Sequence, residues 1–99
     1  MGKPKYWWYG TVKKLIINST VHSPDESEQM MRIHQAMEIV NAETLISQKG
    51  DMKMVAVNSI LLQQSKSYDG VALELHYDRS VVQRWVSDYI YRVGRKAGF

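Results

Sequence analysis

DGVALELHYDRSVVQRWVSDYIYRVGRKAGF, residues 69–99, holds two apolar patterns separated by a polar corner. In the second, Val82, Trp85, Val86, Tyr89, Ile90 and Val93 recur at spacings of three and four, the stripe of an amphipathic helix. In the first, Val71 and Leu75 lie one helical turn apart, and Ala72 is small where two helices must cross closely. His76 and Tyr77 make the corner, and Asp78 is placed to cap the second helix by accepting a backbone N–H. Val71, Leu73, Leu75 and Tyr77 also alternate, which is a strand pattern; the long capped helix directly after them favours the helical reading. A short helix, a tight turn and a longer helix with Arg79, Ser80, Gln83 and Arg84 on its outer face have the form of a helix-turn-helix. In that form the second helix, about residues 79–97, enters the major groove of double-stranded DNA. The plainer account is a solvated face, since most exposed arginines on helices bind nothing.

Upstream, three more helices are expected. The first begins near Pro4, a residue suited to a first helical turn, and runs through YWWYGTVKKLII with Trp8, Val12, Leu15 and Ile16 on one face. Gly10 weakens it, so a packing reason for that glycine is expected; its β-branched end leaves a strand as the lesser reading. Residues 18–22 read as a loop. Ser23, Pro24 and Glu26 then form a capping box, and Met30, Ile33, Met37 and Val40 make a core-facing seam with His34 beside it. That helix breaks near Asn41 or continues to Ser47, and Gly50 is expected to cap its C-terminus. Asp51 is expected to cap a third helix through MKMVAVNSILLQQ, with Met54, Val57 and Leu61 inward. The connector Lys66-Ser67-Tyr68-Asp69 leads into the corner. The expected fold is all-α, a small helical domain of about five helices ending in a helix-turn-helix. It is one domain over residues 1–99, with 1–50 for packing and dimerisation and 51–99 as the DNA-binding module.

Composition sets bounds. A chain of 99 residues supports one modest core. Its 44% apolar and 23% charged residues are ordinary for a globular protein. Without cysteine there is neither a disulfide nor a thiolate metal site. No apolar run approaches the roughly 20 residues that span a bilayer, and no signal pattern opens the chain, so no membrane is expected and a cytoplasmic location is. The net charge of +3 is unevenly spread. Lys3, Lys5, Lys13 and Lys14 open the chain without an acid. Asp25, Glu26, Glu28, Glu38, Glu43 and Asp51 then outnumber Arg32 and Lys49, and Arg92, Arg95 and Lys96 close it. Two basic ends around an acidic middle permit a phosphate backbone as partner.

The block from Leu61 to the C-terminus resembles the C-terminal module of small phage and prophage transcriptional activators of the RinA/ArpU type, themselves similar to the promoter-reading fourth region of sigma factors. The family pattern has a small residue, a Leu-Gly-Val-Ser-like turn and an Arg-Ser-Thr-Val-Arg-Arg-Trp-like helix start. Here those positions read Ala72, then Leu75-His76-Tyr77-Asp78, then Arg79-Ser80-Val81-Val82-Gln83-Arg84-Trp85. His76 stands where glycine is commonest and Asp78 where serine is. The resemblance implies sequence-specific DNA binding and transcription regulation, with RNA polymerase a further candidate partner. On this reading Arg79, Ser80, Gln83 and Arg84 contact bases, and Ser67, Tyr68, Ser87, Arg92 and Lys96 contact the DNA backbone.

The sequence holds no recognisable catalytic or metal-binding pattern, so neither an enzyme nor a cofactor is expected. His22, His34 and His76 share no metal spacing, and a capping box accounts for Asp25, Glu26 and Glu28. The six methionines are read as core filler. Tyr6, Trp7, Trp8 and Tyr9 cannot all face one small core, so they are expected to form an oligomer interface, with a homodimer the favoured product; stacking on single-stranded nucleic acid is the lesser reading. Two rival functions are a small-terminase-like DNA-packaging protein, which would assemble as a ring, and an adaptor whose polar face binds protein.

Overall fold

The computed structural model describes residues 7–19 and 28–99. Within them five α-helices follow in order: α1 Tyr9–Asn18, α2 Glu28–Leu45, α3 Gly50–Val57, α4 Tyr68–Leu75 and α5 Arg79–Lys96. There is no strand among the described residues, so the chain is all-α and the alternation around Leu73 is helical. The expected start near Pro4 and the capping box of Ser23, Pro24 and Glu26 lie outside the described residues, as do 20–22 of the expected loop; Asn18 ends α1.

α5 is the organising element. Val82, Val86, Ile90 and Val93 are wholly buried, and α5 packs against all four other helices, most extensively against α2. Met30, Ile33, Ala36, Met37 and Val40 of α2 join Val12 and Ile16 of α1 and Met54, Val57 and Val71 in the same core. Residues 1–50 and 51–99 thus contribute to one core, in which α5 meets α2 on one side and α3 and α4 from its own half. Across it the Tyr89 hydroxyl donates to Asn41 Oδ1 at 2.7 Å, and burial pushes the Tyr89 phenol far above its ordinary value of 10.0.

Several local expectations are corrected. Gly50 does not cap α2, which ends at Leu45. It opens α3, buried against the α2 terminus, where an added Cβ would lie 2.6 Å from the Leu45 carbonyl oxygen and closer still to that of Thr44. The left-handed residue at this corner is Lys49 (φ 59°), which occupies the N-cap position expected for Asp51; Asp51 sits in the first turn, where its charge favours the helix N-terminus. Gly10 has open space around it, so no packing demand explains it. α3 continues through a π-helical turn, Asn58–Leu62, in which Gln63 N–H reaches the Asn58 carbonyl at 2.7 Å. The wider turn keeps Leu61 inward and the segment ends where Gln64 adopts φ 50°.

Candidate nucleic-acid interface

The corner between α4 and α5 is three residues long, His76 to Asp78. His76 is left-handed (φ 61°, ψ 43°), and Tyr77 N–H closes back on the Ala72 carbonyl at 3.0 Å, as helix C-termini do with glycine. Asp78 takes the N-cap position, but the helix is started by its carbonyl, which accepts from Val81 and Val82. Its carboxylate makes no capping bond. The side-chain cap that does form is one the sequence reading missed: Ser67 Oγ accepts from Gly70 N–H at 3.1 Å, fixing the start of α4. From that start Val71 and Ala72, both buried, seat α4 on α5.

Beyond the corner, the first turns of α5 present Arg79, Ser80 and Arg84 to solvent, with Gln83 half-buried beside them. Arg79 Nε lies 3.6 Å from Asp69 Oδ1 with both side chains more than half exposed, an arrangement of little energetic weight. Arg84 has no ion-pair partner among the described residues. Tyr68 is half-buried; desolvation raises its phenol above the ordinary value, with Tyr9 adding to the effect and Arg79 opposing it. The residues assigned to base contact thus share the free end of α5.

Those assigned to the backbone do not form one surface. Ser87 shares a 3.1 Å hydrogen bond with the Tyr9 hydroxyl, so α1 covers this part of α5. At about 100° per residue, Gln83 and Arg92 point about 180° apart around the helix axis. Arg92 Nε faces Asp88 at 3.3 Å, and Lys96 Nζ faces Glu43 of α2 at 3.7 Å. Arg92 and Lys96 therefore belong to the α2 side of α5, and Ser87 to the α1 side, with Arg84 between.

The aromatic cluster divides in the same way. Trp7 is 87% exposed, whereas Trp8 is 5% exposed and lies in the protein's own core. Its ring packs on Gly94, edge-on to Tyr91 at 5.9 Å and near Phe99 at 6.1 Å. Tyr9 is half-buried, 5.0 Å from Tyr91. Trp8 is thus unavailable to an oligomer interface, and Tyr9 is largely spent on joining α1 to α5; Tyr6 lies outside the described residues. The signal available in the sequence is the four-residue spacing of Trp8 with Val12 and Ile16, which places it on the inward face of α1, and Gly94 leaves the room that its indole takes.

On the α2 side a cleft of about 260 Å³ opens, lined by Thr44 from the last turn of α2, Ser47 from the connection after it, Lys53 and Val57 from α3, and Arg84, Trp85, Asp88, Tyr89 and Arg92 from α5. Trp85 is held edge-on to Tyr77 at 5.0 Å, and Lys49 Nζ lies 4.8 Å above the Tyr77 ring. Sequence spacing did not reveal this cleft because its residues come from three separate helices. No family model, curated protein or solved structure matches the chain. No helix among the described residues is long and apolar enough to cross a membrane.

Proposed function

We propose that this protein binds double-stranded DNA and reads sequence with the first turns of α5, acting as a transcription regulator of the phage type. The observation that carries the reading is the exposed cluster Arg79, Ser80 and Arg84 on a helix start braced from behind by α4. Arg84 is without a counter-ion among the described residues and is free to make a bidentate contact to guanine. Arg79 to Arg84 spans about 7.5 Å of helix axis, which matches about two base-pair steps of roughly 3.4 Å. Because α1 lies over Ser87, one copy reads a short site, and affinity gained by a homodimer over two half-sites is part of the proposal.

The test is duplex binding by fluorescence anisotropy, on a selected site and on random sequence, between roughly 50 and 200 mM salt. Arg84→Ala is expected to cost about 1–3 kcal/mol on the selected site and much less on random DNA. Equal losses on both remove Arg84 from base reading. Absence of salt-dependent binding overturns the proposal. The adaptor reading has its own support in Leu73 of α4, 80% exposed close to the same corner; Leu73→Ser would then abolish a protein interaction and leave DNA binding unchanged.

A further inference from the structure

The cleft beside α5 gathers three cations and two hydroxyls that the folding core does not require. Lys53, Arg84 and Arg92 line it together with Thr44 and Ser47, against a single carboxylate, Asp88. Asp88 engages Arg92 through Nε at 3.3 Å, which leaves the terminal nitrogens of that guanidinium available to a second acceptor. Lys53 Nζ lies 3.4 Å from Ser47 Oγ, and Ser47 Oγ donates to the Thr44 carbonyl at 2.6 Å, so the end of α2 holds Lys53 toward the cleft. The three cations come from two helices whose packing is fixed by Val57 and Tyr89, both buried. Three cations against one carboxylate leave the wall with a net positive charge that favours an anion.

We propose that this cleft seats a phosphate group, and that the group is a backbone phosphodiester of the DNA whose groove α5 enters. Phosphate suits the donor set: the terminal nitrogens of Arg92 offer paired N–H donors matched to phosphate oxygens, the Lys53 ammonium adds a point charge, and Arg84, kept for the base edge, contributes only its charge. The volume, about 260 Å³, is ample for a phosphate with part of its hydration shell. Position supports the duplex as the source. Arg84 borders both the cleft and the free end of α5, so a phosphate held by Lys53 and Arg92 would fix how far that end enters the groove. Phosphate recognition by the cleft stands on its lining alone; the duplex as source rests on the DNA-binding reading.

The experiment follows the Trp85 indole N–H resonance, which reports on one wall of the cleft, while the full chain is titrated with inorganic phosphate against chloride at equal ionic strength. Saturable movement with phosphate is expected, with the midpoint raised about tenfold in Lys53→Gln and in Arg92→Gln and unchanged in Lys14→Gln, an exposed charge on α1. Thermal unfolding of each variant identifies one that has lost its fold, and either cleft variant alone suffices. No saturable response, or the same response in Lys14→Gln as in the cleft variants, overturns the site. A second arm adds a short random duplex. Displacement of phosphate, with weaker duplex binding by Lys53→Gln, supports the DNA backbone as source. Phosphate binding with no duplex binding overturns the duplex as source and leaves the cleft as a site for a free phosphorylated molecule.

Discussion

Substituting Gly94 by alanine tests the packing that fixes α1 over the reading helix. An alanine Cβ would overlap Trp8 Cζ3 and lie 2.7 Å and 2.9 Å from Cη2 and Cε3, against an ordinary carbon–carbon contact of about 3.5–4.0 Å. The indole must withdraw by about an ångström or more, and Tyr91 and Phe99 stand around it. Overpacking of this kind costs about 1–3 kcal/mol; complete expulsion of the ring would forfeit about 3–5 kcal/mol, as in a truncation of tryptophan. Alanine in place of glycine inside a helix returns about 1 kcal/mol. The net expectation is a loss of about 2 kcal/mol, hence a urea midpoint lower by about 1 M for an unfolding slope of about 2 kcal/mol/M. Chemical unfolding followed by far-ultraviolet circular dichroism measures it. The sharper form is a double-mutant cycle: with Trp8→Ala already present, Gly94→Ala should become stabilising by about 0.5–1 kcal/mol, because only the helix preference remains. Gly94→Ala that stabilises the otherwise unaltered protein would refute the seating of Trp8 on α5.

Three further outcomes are expected. Ser67→Ala should lower stability by about 0.5–2 kcal/mol through the lost cap on α4, and unchanged urea unfolding would show that the Gly70 N–H finds water equally well. Above pH 10.0, the ordinary phenol value, stability should fall as pH rises, because the unfolded chain releases the Tyr89 proton while the folded chain retains it. Tyr89→Phe should flatten that decline and cost about 0.5–1.5 kcal/mol at neutral pH through the lost hydrogen bond to half-buried Asn41; an unaltered alkaline limb in the variant would assign the decline to other groups. Trp7→Ser should leave the circular dichroism spectrum unchanged and abolish self-association in light scattering, and a parent protein already of one-chain mass at micromolar concentration would remove Trp7 from any interface.

Sequence alone determined the helical class and much of the core. Spacings of three and four identified Val82, Val86, Ile90 and Val93 on α5 and Met30, Ile33, Met37 and Val40 on α2, because an apolar stripe is a property of one helix and needs no knowledge of its partner. The corner at His76 and the N-cap position of Asp78 were legible for the same local reason. Tertiary structure decided the rest. Trp8 shares the inward spacing of Val12 and Ile16, but where its indole is seated depends on Gly94, far downstream in the chain, and only the approach of α1 to α5 brings the two together. Gly50 looked like a helix end, yet its lack of a Cβ serves the close contact with the α2 terminus. Ser87, Arg92 and Lys96 form one list in the sequence but fall on two sides in space, since α1 and α2 each claim part of the circumference of α5. The cleft of Thr44, Ser47, Lys53, Arg84 and Arg92 exists only where three helices meet, and side chains drawn from separate helices leave no period for a sequence to show.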